Sequence, residues 1–129
     1  IAMAGILIIA HAPLASALLS CAYHVYGGEL ERIRAVDIAP NVDPNEMVEK
    51  IDVLFRASIK QNSGIILTDL CGATPANIAL KLAKKNDFPL LSGANLSMVL
   101  RTIAYRSRPL EVLVQAALAG GSQGVMRIA

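Results

Sequence analysis

Two polar side chains that follow apolar segments, His11 and Asp69, could together carry out group-transfer chemistry. His11 comes directly after the run 5–10, and Asp69 comes directly after the run 64–68. Imidazole can act as a base, a metal ligand or a nucleophile, so its neighbours decide which of these it does. A carboxylate that accepts a hydrogen bond from one ring nitrogen fixes the tautomer, and it leaves the lone pair of the other nitrogen free to attack phosphorus. Asp69 could orient His11 in this way.

Other chemistries for the histidine find less support in the sequence. The chain has no H-x-x-x-H pattern and no convincing third ligand, so we expect no metal. A serine hydrolase would need a nucleophile elbow of the G-x-S-x-G type, which is missing. The glycine patterns that bind nucleotides, G-x-x-x-x-G-K-[ST] and G-x-G-x-x-G, are also missing, so we expect no cofactor. Cys21 and Cys71 lie far apart without a C-x-x-C pattern, which argues against a zinc or redox pair.

An anion site is expected shortly after Asp69. Gly72, Ala73 and Thr74 lead into Pro75, and this pattern predicts a helix start with Thr74 as the N-cap. Free N–H groups at a helix N-terminus bind anions, and a threonine hydroxyl can add to them. We therefore expect Gly72, Ala73 and Thr74 to bind a phosphoryl group. Phosphoryl transfer needs mainly positioning and charge stabilisation from a protein, which such a site supplies.

Each of these residues also has a simpler structural interpretation. A histidine at the end of an apolar strand is, taken alone, more often structural than catalytic. Asp69 alone could bond loop N–H groups, and Thr74 alone is an ordinary N-cap residue. The three together favour the chemical interpretation.

Apolar segments alternate with helical patterns along the chain. We predict strands at 5–11, 33–38, 64–69, 88–94 and 125–129, with helices after each of the first four and a further helix over 110–119. In the first helix Leu14, Leu18, Cys21 and Val25 repeat at helical spacing, which predicts that they form its apolar face. The 129 residues fit a single domain, 1–129.

This alternation predicts an α/β fold. We expect a central, mainly parallel sheet with strand order 2-1-3-4, helices on both faces, and 125–129 as a C-terminal edge strand. In such folds ligands bind beyond the carboxyl ends of the strands. If the first and third strands are neighbours, His11 and Asp69 meet in that crevice.

Composition limits the partners and the location. The net charge is +2, and the chain has three Tyr, two Phe and no Trp, so it lacks stacking platforms and we expect no nucleic-acid partner. The apolar opening 1–22 has no basic start and contains Pro13, which argues against a signal peptide and against a membrane helix. We expect a cytoplasmic protein.

Three segments resemble a known family. Residues 8–11, Ile-Ile-Ala-His, resemble a first strand that ends in a phosphoacceptor histidine. Residues 68–77 match the family pattern D-x-x-G-[GA]-[ST]-P-x-N, and 93–98 resemble G-x-N-x-P-M, with Ser97 where proline is usual. From about residue 4 to 127, the chain resembles the IIA component of the mannose family of the bacterial phosphoenolpyruvate-dependent sugar phosphotransferase system.

The resemblance implies a phosphocarrier, that is, a phosphotransferase with a phosphohistidine intermediate. The phosphocarrier protein HPr would phosphorylate His11 at Nε2, and the group would pass to a IIB component. The membrane would be involved only indirectly, through a IIC/IID permease. Asp69 would orient the ring, and Thr74 would contact the phosphoryl group. The resemblance also implies a homodimer, which an exchanged strand at 125–129 could complete.

Two further functions stay open. Phosphorylation of His11 could regulate binding to another protein without onward transfer. The chain could instead be the phosphotransfer subunit of a dihydroxyacetone kinase, whose first domain looks similar. The T-P-x-N sequence at 74–77 favours the mannose type.

Overall fold

Strands and helices alternate over most of the chain. The computed structural model describes residues 3–59 and 63–129. The strands are β1 (Gly5–His11), β2 (Ile33–Ile38), β3 (Gly64–Thr68) and β4 (Leu90–Leu91). The helices are α1 (Leu14–Tyr26), α2 (Pro44–Ser58), α3 (Thr74–Asn86), α4 (Leu96–Ala104) and α5 (Leu110–Gln123).

The strands form a parallel sheet in the order β2-β1-β3-β4, which confirms the predicted order. β1 lies in the middle, with Ile9 opposite both Val36 of β2 and Thr68 of β3. Residue types explain the order. β1 and β3 are continuous apolar runs buried on both faces, as central parallel strands must be, whereas β2 mixes apolar and charged residues and lies at an edge.

Helices cover both faces of this sheet, so the predicted α/β class is confirmed. Side chains alternate along a strand, and they divide β1 between two cores. Ile6 and Ile8 pack with residues of α1, α4 and α5, and Leu7 and Ile9 pack with residues of α2 and α3. All four of these side chains are fully buried.

The buried face of α1 differs from the predicted one. Ala15, Leu18 and Ala22 face the core, whereas Leu14 and Val25 are 37% and 57% exposed. Small alanine side chains allow a helix axis to lie close to the layer beneath it. Of the predicted apolar face only Leu18 is buried, so the size of the hydrophobic side chains alone does not identify the face of this helix.

Two helices begin at the predicted caps. The Asp43 carboxylate accepts from the N–H of Asn45 at 3.0 Å and caps α2. The Asn95 side-chain oxygen accepts from the N–H of Met98 at 2.8 Å and caps α4. Side-chain acceptors at the N-cap satisfy N–H groups that lack partners inside the helix, which is why both positions are readable from sequence.

The glycine pair 120–121 does not end α5, which runs four residues beyond the predicted end at Ala119, to Gln123. A Cβ on Gly120 would lie 2.5 Å from Arg101 Cβ, and one on Gly121 would lie 2.9 Å from Met98 Cε. The glycines are therefore needed for the close packing of α5 on α4, and tertiary contact outweighs their low helix propensity.

The fourth strand is shorter than predicted, with only Leu90–Leu91 in the sheet. After it, the chain remains bonded to the end of β3 through individual hydrogen bonds. The Gly93 N–H donates to the Asp69 carbonyl at 2.9 Å, and the Ala94 N–H donates to the Thr68 carbonyl at 3.0 Å. The predicted strand thus continues as a loop that holds the carboxyl end of β3.

The predicted terminal strand is wrong for the single chain. Residues 125–129 pair with no described strand, and Val125 and Ile128 are 78% and 88% exposed. A strand exists only with a neighbour to bond to, and the segment does not lie along either edge of the sheet.

The apolar opening of the chain is used in the sheet and in α1. Thirteen residues make up α1, too few to cross the apolar part of a bilayer. Within residues 3–59 and 63–129, no helix is long and apolar enough to span a membrane.

Candidate functional site

The structure brings His11 and Asp69 together at the carboxyl ends of β1 and β3. Asp69 Oδ2 lies 2.8 Å from His11 Nδ1 and also accepts from the His11 N–H at 3.1 Å. Asp69 Oδ1 accepts from the N–H of Leu70 at 2.9 Å. An ionised carboxylate only accepts hydrogen bonds, so the ring hydrogen belongs on Nδ1. The lone pair of a neutral ring is then on Nε2.

The electrostatics of the pair favour this assignment. Burial of the Asp69 carboxylate works to raise its pKa, but the hydrogen bonds from the His11 ring, the His11 N–H and the Leu70 N–H outweigh it, so the pKa of Asp69 lies below its usual value. Asp69 is therefore ionised at neutral pH. Its side chain is 11% exposed and that of His11 is 52% exposed. The carboxylate is sheltered while the ring remains open to a reactant.

Strand pairing explains why these residues meet. β1 and β3 are parallel neighbours, and their last paired residues, Ile9 and Thr68, lie side by side. The next residues along each strand therefore emerge at the same edge of the sheet. The loop at 93–94 holds the Asp69 backbone, and Gly93 has the positive φ of +81° that this loop requires.

The loop after Asp69 leads into an uncapped helix. Gly72 has a φ of +86°, a left-handed conformation that favours glycine. Helix α3 starts at Thr74, so its N-cap is Ala73, which has no side-chain acceptor. The prediction that Thr74 is the N-cap is thus wrong by one residue, because Pro75 occupies the second helical position. The first turn contains no acidic residue.

The three predicted phosphoryl-binding residues lie in this loop and helix start. Thr74 is exposed, and its hydroxyl makes no hydrogen bond within the part of the chain that the structure describes. The N–H of Ala73 donates to the Leu70 carbonyl at 3.4 Å, which is long for such a bond. The helix start therefore has donors that an anion could use.

An open cleft of about 530 Å³ lies between His11 and Thr74. It is also lined by the last residue of β2, Ile38, and by the loop between β2 and α2, with the apolar side chains Pro40 and Val42. The histidine ring and the α3 start thus face one shared space. Sequence analysis did not find this part of the lining, because the loop carries no reactive side chain that would single it out.

A comparison with known families identifies the chain. The EIIA-man family model, described as the fructose IIA component of the phosphotransferase system (PTS), matches residues 5–117. The chain belongs to this family. It is a IIA component of the sugar phosphotransferase system, a class of phosphotransfer proteins, and the predicted family is confirmed.

Solved structures of IIA components resemble the chain over nearly its whole length. The EIIA component from Streptococcus agalactiae is 25% identical with a TM-score of 0.80, and the alignment covers 97% of each chain. The PTS IIA protein associated with the fucose utilization operon of Streptococcus pneumoniae is 26% identical with a TM-score of 0.75, over 99% of this chain and 96% of that one. The mannose/sorbose-specific IIA subunit of Enterococcus faecalis is 19% identical, covers 98% and 96%, and has a TM-score of 0.84, which shows a shared fold. No curated protein matches the sequence.

Sequence analysis of this IIA component missed one contact beside the histidine. Asp37, the penultimate residue of β2, accepts from the Ser16 N–H at 3.0 Å and from the Ser16 hydroxyl at 2.5 Å. Ser16 lies in the first turn of α1, whose N-cap Pro13 makes no side-chain cap. One signal in the sequence could have indicated this contact, because Asp37 lies near the carboxyl end of a strand that was predicted to neighbour β1.

The described part of this IIA component contains no cluster of metal-ligating side chains. In the described ranges, 3–59 and 63–129, no three His, Cys, Asp or Glu side chains group closely enough to hold one. Cys21 and Cys71 are both exposed free cysteines. Cys71 lies in the loop between Asp69 and Gly72, and Cys21 lies on α1.

Proposed function

We propose that this IIA component is a phosphocarrier that accepts a phosphoryl group from HPr on His11 Nε2 and passes it to a IIB component. The observation that carries the proposal is the bond between His11 Nδ1 and an ionised, sheltered Asp69 carboxylate, which leaves the lone pair on Nε2 of a half-exposed ring. A histidine oriented through one nitrogen is prepared to react through the other.

Transfer exchanges one bond at phosphorus for another. The Nε2 lone pair attacks phosphorus, and the bond from phosphorus to the donor atom on HPr breaks, with its electron pair remaining on the donor. His11 keeps its Nδ1 hydrogen, so the ring becomes cationic as the new bond forms. The Asp69 carboxylate, 2.8 Å from Nδ1, stabilises that charge. Attack by a nucleophile on IIB reverses these changes and restores the neutral ring.

The α3 start would hold the phosphoryl oxygens during transfer. Gly72, Ala73 and Thr74 form the loop and first helical position, the N-cap has no side-chain acceptor, and no acidic residue competes for the free N–H groups. The Thr74 hydroxyl lines the same cleft as the His11 ring and adds one more donor. Helix N-termini stabilise negative charge, which is what in-line phosphoryl transfer requires.

Both partners would approach across the cleft at His11. The cleft is open, and one wall is largely apolar, with the exposed Pro40 and the half-buried Val42 available to a partner surface. A carrier that must bind a donor and then an acceptor benefits from one exposed docking face rather than an enclosed pocket. The exchange would take place in the cytoplasm and reach the membrane only through a IIC/IID permease.

We also propose that the functional unit is a homodimer. Val125, Met126 and Ile128 are 78%, 67% and 88% exposed, so an apolar segment of strand length is left uncovered by the described residues. Pairing of 125–129 with a sheet edge of a second copy would cover it. Sedimentation equilibrium should then give twice the chain mass, and a smaller mass after truncation beyond Gly124. A monomeric full chain would contradict this.

Intact mass spectrometry tests the phosphocarrier proposal. The chain is incubated with phosphoenolpyruvate, enzyme I and HPr, and we expect an acid-labile gain of about 80 Da, the mass of one phosphoryl group. His11→Ala should abolish the gain, and His24→Ala should keep it. A gain that survives in His11→Ala would contradict the proposal.

A second step of the same experiment tests onward transfer. Purified phosphorylated chain is mixed with candidate IIB components. Mass spectrometry then follows the loss of about 80 Da from this chain and the gain of about 80 Da on IIB. Transfer to a IIB component supports a transport carrier. Phosphorylation of His11 with no transfer to any of them favours a regulatory role.

A further inference from the structure

Two helices begin beside His11 at the same edge of the sheet. α1 starts at Leu14, directly after the turn that follows His11, and α3 starts at Thr74, across the cleft. Neither helix has a side-chain cap at its own N-cap residue, and neither has an acidic residue in its first turn. Each N-terminus would by itself attract a phosphoryl group. Productive transfer needs the group in one place only.

Asp37 makes the two helix starts different. Its carboxylate reaches from β2 to the first turn of α1, where one oxygen accepts from the Ser16 N–H at 3.0 Å and the other accepts from the Ser16 hydroxyl at 2.5 Å. Both oxygens therefore have a donor in α1. A fixed negative charge occupies this helix start, so an incoming anion is repelled there and not at α3.

The same contact fixes the turn that carries the histidine. Ala10 lies opposite Asp37 in the pairing of β1 with β2, and the Ala12 N–H donates to the Ile38 carbonyl at 3.1 Å. The turn 11–13 is thus held by Asp69 at its start, and at its end the Ser16 hydroxyl, which bonds to Asp37, also lies 3.2 Å from the Pro13 carbonyl oxygen. Neither Asp37 nor Ser16 bonds to the ring itself.

From this geometry we infer that Asp37 is a positioning residue for phosphoryl transfer at His11. Its carboxylate closes the α1 start to anions and holds the turn 11–13, and it thereby directs the phosphoryl group to α3. The inference rests on the proposed function, because it assigns a role in a reaction at His11.

The test uses a small phosphoryl donor, phosphoramidate, so that docking of a protein partner does not affect the rate. The full chain and its variants are incubated with it, and phosphorylation of His11 is followed by mass. We expect Asp37→Ala to slow the reaction about tenfold, because misplacement of a reacting group by a fraction of an ångström is costly. Asp37→Asn keeps an acceptor for Ser16 but loses the negative charge, so it should slow the reaction less than Asp37→Ala does, by about threefold.

Asp43→Ala is the matched control. It also removes an aspartate that accepts from N–H groups at a helix start, but that helix is α2. We expect Asp43→Ala to react as the unmodified chain does. Equal rates for Asp37→Ala and Asp43→Ala would overturn the inference.

A second measurement covers the case in which Asp37→Ala does not fold. Ser16→Ala keeps the backbone donor and loses the hydroxyl bond, and we expect it to react about threefold more slowly. An unchanged rate for Ser16→Ala would overturn the inference. If the unmodified chain is not phosphorylated on His11 by phosphoramidate or by HPr, the proposed function fails instead, so the two failures are distinguishable.

Discussion

The starts of α1 and α3 are built alike and are completed differently. Each follows a parallel strand, each contains a proline at or next to its first residue, and each lacks a capping side chain of its own. The α1 start receives the Asp37 carboxylate from β2, whereas the first turn of α3 receives no side-chain acceptor from the described residues. The neighbouring strand, rather than the helix sequence, decides which start is available to an anion.

The position of β1 in the sheet explains this difference. β1 lies between β2 and β3, so the end of β1 has a carboxylate from each neighbour, Asp37 beside Ala10 and Asp69 beside His11. Asp37 bonds to the helix and Asp69 bonds to the ring. Similar carboxylates at one edge of a sheet thus do different work because different donors face them.

The largest effect on phosphorylation is expected from a variant that gives the α3 start a carboxylate of its own, so that it resembles the α1 start. Ala73 has the extended backbone of an N-cap, so Ala73→Asp would place an acceptor on the free N–H groups of α3. We expect phosphorylation of His11 by HPr to slow about 10²-fold, because a fixed negative charge excludes the phosphoryl group. We expect the free energy of unfolding, measured with urea, to rise by about 1 kcal/mol.

An uncharged cap residue at position 73 separates the effect of negative charge from the effect of occupying the N–H groups of α3. Ala73→Asn accepts from the same N–H groups without a net charge, and it should slow phosphorylation about tenfold. Unchanged rates in both variants would mean that the α3 start does not bind the phosphoryl group.

A smaller effect is expected from the Thr74 hydroxyl. The Ser16 hydroxyl in α1 is bonded to Asp37, whereas Thr74 lines the cleft and its hydroxyl has no bond to a described residue. Thr74→Val should slow phosphorylation by HPr about tenfold at most, because it removes one donor to the transferring group. Thr102→Val is the control. Its hydroxyl donates to the Met98 carbonyl far from the cleft, so its loss should cost about 1 kcal/mol of stability and leave the rate unchanged.

The smallest expected effect is on the pH dependence of stability. The pKa of Asp69 is lower in the folded chain than its usual value, because its hydrogen bonds outweigh the effect of burial, so its contribution is fully present above that usual value and is lost as pH falls through the lowered one. Urea unfolding of the unmodified chain and of Asp69→Asn should differ by about 1 kcal/mol at neutral pH. The difference should shrink below about pH 4. A constant difference would mean that Asp69 is not held as a carboxylate.

The sheet and its order could be predicted from the sequence because the signals are local and strong. β1 and β3 are apolar runs, and each is followed by a polar side chain, so the strands follow from pattern, and His11 and Asp69 are expected to meet on the condition that these strands are neighbours. Asp43 and Asn95 likewise define helix starts by short-range hydrogen bonds.

The remaining features depend on contacts between distant segments. Asp37 and Ser16 are 21 residues apart, and their bond requires the direction of both side chains as well as the strand order. Alanines bury one face of α1 because the helix lies close to the sheet, and Gly121 continues α5 because Met98 packs against it. Segment 125–129 pairs with no strand among the described residues, so its local pattern could not settle its structure.

Nitrogen NMR of the phosphorylated chain tests the phosphohistidine site most directly. The chain contains two histidines, His11 and His24, so labelled ring nitrogens can be assigned with one His24→Ala spectrum. After phosphorylation by HPr, we predict that Nε2 of His11 couples to phosphorus while Nδ1 keeps its hydrogen, bonded to Asp69. Coupling of phosphorus to Nδ1 of His11, or to either nitrogen of His24, would contradict phosphorylation at Nε2 of His11.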